Sequence, residues 1–496
     1  MRFEAPSTGA GHLAHGLADP LPIQVVAYQH AVDSENDNAG NRTSATDSRG
    51  VVVNYTHDAL NRLTGVLYKR FAQTLSQTWS YDQTGPGFSH GVGRLTSSTH
   101  PDGSTQHGYD PQGRLITDTQ RVRAAAGANS AQVVHTVRYG YTNGQLTSLT
   151  YPSGRKLSIS YTGGQPSAIG LAKNVIAAAT PLLSDIQWQP FGAAKSWQWQ
   201  LAGGPQVHER VFDTSGRPVR YRLGASIRDL TYDAADRIEG YTHYDATSGA
   251  AQPALDQGFG YDELGRLTTV TTAGASWSIG YDANGNRTGV TLNGTTRNYI
   301  TPASTNRLNR LTNPSRIFEY DAAGNTTADG GQYSATYNLA GRMATLTKAG
   351  VTSTYTYDGA GKRVRKFSST GAASTVIFVY DQGGQLLGEY DSTGAAIREY
   401  VWLGTTPVAV FTPDPAGSTN PPLVYFIHAD HIDTPRVVVD KNNNPRWQWL
   451  AEPFGTTAPE TNPSGLGAFT FNLRFPGQFA DQESGLHYNW HRDYDA

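Results

Sequence analysis

The chain has 496 residues, with 41 Asp and Glu against 39 Lys and Arg, for a formal charge of −2. So even a balance excludes charge-driven disorder and offers no electrostatic basis for binding nucleic acid or an anionic membrane surface. Cys is absent, which excludes disulfides and thiolate metal sites, while 27 Tyr, 16 Phe and 9 Trp supply large side chains for a core.

Residues 1–40 read as an irregular N-terminal segment. MRFEAPSTGAGHLAHGLADP carries an early acid and has no apolar run, so it lacks the form of a signal peptide. No later window approaches 18 uninterrupted apolar residues, so no membrane-spanning helix is expected.

Residues 41–376 read as an array of one repeated motif. It stands as YDPQGRL at Tyr109–Leu115, YDAADRI at Tyr232–Ile238, YDELGRL at Tyr261–Leu267 and YDANGNR at Tyr281–Arg287. YDAAGNT at Tyr320–Thr326, YNLAGRM at Tyr337–Met343, YDGAGKR at Tyr357–Arg363 and YDQGGQL at Tyr380–Leu386 continue it. Asp at the first turn position and Gly three residues later specify a type I turn with a bulge, because Asp accepts nearby backbone N–H groups and Gly tolerates positive φ. Asp110 with Gly113, Asp262 with Gly265, Asp282 with Gly285 and Asp358 with Gly361 fit this directly. Each motif is thus a hairpin tip, with Tyr109, Tyr261, Tyr281 or Tyr357 ending one strand and Arg114 or Arg266 opening the next. Packing of Tyr on the neighbouring unit, with Arg stacked on its ring, accounts for those residues without a ligand.

The flanks alternate with period two, as at Trp197, Trp199 and Leu201 or at Trp277, Ile279 and Tyr281. No sustained helical periodicity appears; one short helix is possible over 172–183, limited by Pro181. The expected fold class is all-β, with tandem hairpins curving or closing because long flat sheets twist and expose edges.

Residues 377–496 carry further blocks in a fixed order. They are IFVYDQGGQLLGEYDSTGAAIREYVWLGTTPVAV (Ile377–Val410), HADHIDTPRVVVD (His428–Asp440), RWQWLAEPFG (Arg446–Gly455) and RFPGQFADQESGLHYNWHRDYDA (Arg474–Ala496). With the repeats, they make the chain resemble the YD-repeat family: bacterial rearrangement-hotspot (Rhs) proteins, the C components of insecticidal toxin complexes, and teneurins. Asp433 stands where the family usually has Gly. The resemblance implies a shell of spiralling hairpins ending in an Rhs-associated core, incomplete here at its C-terminus. It marks His428, Asp430, His431, Pro435, Arg436, Arg474, Gly477, Gln478, Asp481, Gly485, Leu486, Tyr488, Asn489, Arg492 and Tyr494 as the core motif. It also implies a toxin polypeptide as guest, not encoded in this chain, a delivery-system component as a second partner, and secretion or envelope association through a specialised system. Family members cleave themselves just beyond the core at aspartates that have no matching positions here, so no catalysis is expected.

Three chemical readings of this region compete with a structural one. His428, Asp430 and His431 have metal-ligand spacing, but on a strand His431 would oppose the other two. Glu483, His487 and His491 would align only on a helix, which Gly485 disfavours. Asp481 and Glu483 would share a strand face as a carboxylate pair. The expectation is no catalytic, cofactor or metal site. The alternative function is a cell-surface YD-repeat protein that binds carbohydrate or a partner through exposed aromatics.

Overall fold

The structure, a computed structural model, describes residues 31–125, 130–190, 192–369, 374–417 and 420–496. Thirty-seven strands form one antiparallel sheet, from Ala31–Asn36 to Pro445–Gln448. Neighbours in sequence are neighbours in the sheet, as at Gln257–Tyr261 with Leu267–Thr272 and Ser276–Tyr281 with Arg287–Leu292. Among the described residues no pairing joins the first strand to the last, so this sheet is not closed edge to edge. A small three-stranded sheet, Phe479–Ala480, His487–Asn489 and Arg492–Tyr494, follows.

Two sequence expectations are corrected. A strand at Ala31–Asn36 already pairs with Arg42–Asp47 inside the stretch expected to be irregular, whose residues 1–30 lie outside the described residues. The stretch 172–183 forms no helix but a turn between strands Gln165–Ala172 and Thr180–Trp188, with Gly170 opposite Pro181. Asn174 holds that turn by accepting the N–H groups of Ile176 and Ala177 at 3.1 and 2.8 Å. A local side-chain acceptor here outcompetes the helical tendency of the three alanines.

The repeated turns follow one plan. Asp262 Oδ1 accepts the N–H groups of Leu264 and Arg266 at 3.0 and 2.8 Å, and Gly265 closes the turn at φ +75°. Asp110, Asp282 and Asp358 repeat it, with Gly113, Gly285 and Gly361 at φ +85°, +84° and +77°. Where the Gly is replaced, Asn61 and Asp236 occupy the same left-handed region, as their short polar side chains allow.

The Tyr and Arg of each motif tie one hairpin to the next. Tyr261 donates its hydroxyl to the Ile238 carbonyl at 2.7 Å, and the Arg237 guanidinium lies 4.7 Å from its ring centroid. Tyr281 donates to Leu267 at 2.8 Å beneath Arg266, Tyr109 to Leu95 at 2.5 Å beneath Arg94, and Tyr357 to Met343 at 2.9 Å. Arg114 reaches forward over Tyr141.

Later strands lie over earlier ones in the same order. Arg49 donates to the Asn338 and Leu339 carbonyls at 3.0 and 2.9 Å, Gln120 to Phe378 at 3.0 Å, and Tyr151 to Tyr400 at 2.6 Å. We call residues 42–232 the earlier course and residues 338–439 the later course. Alternation within the later course then builds two cores. Ile377, Val379, Val401 and Phe426 face the earlier course with Leu183, Trp197 and Trp199, whereas Phe378, Tyr400, Ile427 and Val438 face the C-terminal segment. Strand Leu386–Tyr390 is buried along its whole length, the mark of a sheet covered on both faces.

Candidate functional site

The C-terminal segment builds the second of those two cores. Trp447, Trp449, Phe471, Leu473, Phe479 and Tyr488 are buried against Phe378, Tyr400, Val410 and Ile427. Leu486 enters a separate cluster with Ala335, Met343, Leu346 and Tyr355, so the segment spans several hairpins of the later course.

Its charged residues are held by charged residues of the sheet. Arg363 donates to both oxygens of Asp481 at 2.6 and 3.0 Å, and Lys366 reaches Asp481 at 3.0 Å and Glu483 at 3.1 Å. The Arg363 guanidinium is enclosed by Tyr355, Phe378, Phe479 and Tyr488 at 4.2–5.6 Å from their centroids, and its backbone N–H donates to the Tyr488 hydroxyl at 2.8 Å. Burial raises the Asp481 pKa, but the Arg363 and Lys366 cations outweigh it and hold the carboxyl below its usual range. Asp481 and Glu483 are not on a strand: both belong to the turn closed by Gly485 N–H donating to the Asp481 carbonyl at 2.8 Å. Gly485, at φ +78°, lies beside Lys348, whose Nζ donates to the Ser484 carbonyl at 2.7 Å.

Asp493 contrasts with Asp481. Desolvation, reinforced by the Asp481 charge and partly offset by Arg363 and Arg342, pushes its pKa up to about 7. A carboxyl raised in this way favours the folded state when protonated, and that contribution is lost as pH rises from the unfolded value through about 7. Asp493→Asn is therefore expected to raise the melting temperature at pH 8 and leave it nearly unchanged at pH 4, read by circular dichroism.

The histidine and acid cluster has a different logic from metal ligation. Asp430 lies outside strand Leu423–Ala429 and begins another Asp-type turn, accepting the N–H groups of Ile432 and Thr434 at 3.0 Å each. It pairs with Arg436 at 2.7 Å, which also lies over Trp449 and Phe475. His431 Nδ1 meets the Tyr221 hydroxyl at 3.1 Å, and His428 packs on Trp199. Among the described residues no cluster of three or more His, Cys, Asp or Glu side chains is placed to hold a metal. Asp433 takes the left-handed position, at φ +63°, where Gly was expected, so the turn is kept. Its carboxylate accepts from Thr405 and Thr406 at 2.6 Å each and from Arg210 at 3.2 Å. The Asp–x–x–Asp spacing is the signal that marks this as one more repeat turn.

The remaining motif residues tie the segment to itself. Arg474 donates to the Phe471 and Leu473 carbonyls between Trp447 and Trp449, and burial draws its pKa down to about 10. Gln478 Oε1 faces His487 Nδ1 at 3.0 Å, and Gly477 turns at φ +77° beside Asn489. Asn489 and Arg492 close the last hairpin, Tyr494 donates to the Phe454 carbonyl at 2.8 Å, and Pro435 opposes Ala429. His487 and His491 are on this hairpin, not a helix, and His491 Nδ1 meets Arg342 at 2.5 Å.

The teneurin YD-shell family profile matches residues 224–496, more than half of the chain and the whole of the C-terminal segment just described. The chain belongs to the teneurin YD-shell family. An Rhs repeat is also matched in this YD-shell protein, at residues 90–128. Toxin protein Tse5 of Pseudomonas aeruginosa is 38% identical over 71 residues, 14% of this chain and 5% of Tse5. YibJ of Escherichia coli K12 is 33% identical over 72 residues, 14% of this chain and 30% of YibJ. The crystal structure of TcdB2–TccC3 without its hypervariable C-terminal region superposes with a TM-score of 0.75 at 15% identity, covering 93% of this YD-shell chain. A Photorhabdus luminescens Tc holotoxin pore gives 0.75 at 14% identity and the same coverage. The chain spans a quarter of the length of those two structures. The shared fold is the wound, all-β toxin-complex shell.

Proposed function

We propose that this chain is a non-enzymatic section of a container wall for a guest polypeptide of the toxin class, with residues 377–496 as the core in which that wall ends. The observation that carries the reading is the double burial of the later course, whose strands are packed by the earlier course on one face and by the C-terminal segment on the other. Acids and cations that resembled chemistry are used to hold that segment down, as Arg363, Lys366 and Asp481 do. A relative called a toxin and a solved shell lacking its hypervariable C-terminal region fit the same role. A delivery-system component would be the second partner, and export by a specialised system the route. The carbohydrate reading needs open aromatic faces, whereas Tyr261 and Tyr281 are covered by Arg237 and Arg266.

Joining an unfolded, protease-sensitive polypeptide after Ala496 tests the proposal. The guest is expected to outlast the same polypeptide free in solution during trypsin digestion. Equal rates of loss would sink the reading, and glycan-array binding lost on replacing exposed aromatics would favour the surface-binding alternative.

A further inference from the structure

Among the described residues four buried histidines hydrogen-bond to no side chain on either ring nitrogen: His100, His135, His208 and His428, of which His135 and His428 face only a backbone group, of Gly394 and Arg222. Their exposures are 6%, 2%, 0% and 0%, so water does not substitute for a partner. All four stand where the two courses meet. His100 belongs to the earlier course beside Asp102, facing Asp358 and Arg365 of the later course. His135 stacks on Tyr390 at 4.3 Å, next to the turn that carries Asp391 and Gly394.

The other two meet across the seam. His208, on strand Gly204–Phe212, and His428, on strand Leu423–Ala429, have ring centroids 6.0 Å apart. Trp197 lies 4.3 Å from His208, and Trp199 touches both, at 5.0 and 4.3 Å. The charged groups facing this pair are Arg210 and Arg222 of the earlier course, both cationic. The acids of the turn after His428 are committed elsewhere, Asp433 to Arg210 and the two threonines, and Asp430 to Arg436. A proton on either ring would thus be a buried charge with no counter-ion, the most costly arrangement for a side chain.

We propose that the seam between the two courses is an acid-releasable contact, in which protonation of His208 and His428, with smaller contributions from His135 and His100, separates the later course from the earlier one. The wall holds at neutral pH, when the rings are uncharged and pack as flat apolar surfaces. Burial, and then the Arg222 cation, hold His428 down to about 3 against a backbone hydrogen bond at Arg222, and burial holds His135 down to about 4 despite a backbone hydrogen bond at Gly394 and the Asp391 charge. Opening the seam returns each ring to water, where its pKa is about 6.5, so each favours the open state up to about tenfold per pH unit below that value. His100 and His135 contribute less, because Asp102, Asp358 and Asp391 partly compensate their charge. The inference concerns the wall alone and stands whether or not it encloses a guest.

The test is amide hydrogen exchange on the full chain between pH 7.5 and pH 4.5, corrected for intrinsic exchange. Protection of strands Gly204–Phe212 and Leu423–Ala429 is expected to fall by at least about a hundredfold, while strand Arg287–Leu292, outside the seam, keeps its protection. The double variant His208→Phe with His428→Phe should retain seam protection at pH 4.5. Seam protection that does not change with pH, or a variant that loses it as the wild type does, overturns the proposal. Should the variant not fold at pH 7.5, exchange of the histidine C2 protons in the wild type decides. Apparent pKa values below about 5 for His208 and His428 support the switch, and ordinary values near 6.5 overturn it.

Discussion

Asp481→Ala is expected to release the C-terminal segment from the wall, at a cost of about 3–5 kcal/mol. The size follows from what the substitution leaves behind. Arg363 and Lys366 are 1% and 8% exposed, and both lose their only buried carboxylate at hydrogen-bond distance except the Lys366–Glu483 contact. An uncompensated guanidinium between four aromatic rings cannot be rehydrated without lifting Phe479 and Tyr488 away. Replacing both partners at once, as in Arg363→Met with Asp481→Leu, should cost less, because the guanidinium leaves with its carboxylate and Lys366 keeps Glu483. Thermal unfolding followed with limited proteolysis checks both: the single variant should be cleaved within residues 450–496 before the wall unfolds, and the double variant should not. Equal losses in the two would show that packing, not charge pairing, holds the segment.

The second large effect is expected at the seam itself. Trp199→Ala removes a fully buried ring that touches His208, Phe426 and His428 and pairs across strands with Leu183 and Gln206. Surrounding strands are fixed by their ladders, so the site cannot collapse, and the expected loss is about 3–5 kcal/mol. Because Leu183 and Phe426 belong to opposite courses of one core, the loss should appear as separation of the courses. Chemical denaturation with exchange readout checks this: protection in Leu423–Ala429 should fall with that in Ala194–Leu201. A loss confined to Ala194–Leu201 would mean that the courses are held independently of this ring.

Local structure was legible to the degree that it was set by local chemistry. Tyr–Asp–x–x–Gly–Arg specifies its turn within six residues, and Asp262, Gly265 and Arg266 adopt it as written. Asp430 and Asp433 use the same turn, but a histidine on each side of Asp430 drew attention to metal chemistry instead. The 172–183 error has the opposite cause, since Ala177–Ala179 invite a helix while Asn174 and the partner strands decide otherwise. What sequence periodicity could not supply is the partner of each face. Ile377 and Phe378 are both apolar neighbours, and only the folded chain assigns one to the earlier course and the other to the C-terminal segment. Arg363 and Asp481 lie 118 residues apart, and nothing at either position names the other.

The wound arrangement of the two courses admits a direct covalent test, because the chain has no cysteine of its own. A Cβ built on Gly359 would lie 3.6 Å from the Ser98 Cβ, within the roughly 3.5–4.5 Å that a disulfide spans. The backbone at Gly359 is outside the left-handed region, so a side chain is tolerated there. In the double variant Ser98→Cys with Gly359→Cys, mild oxidation should close the loop in nearly all molecules, seen as faster migration on a non-reducing gel and loss of both free thiols. Two thiols that stay free under oxidation in the folded protein would contradict the stacked courses on which the account rests.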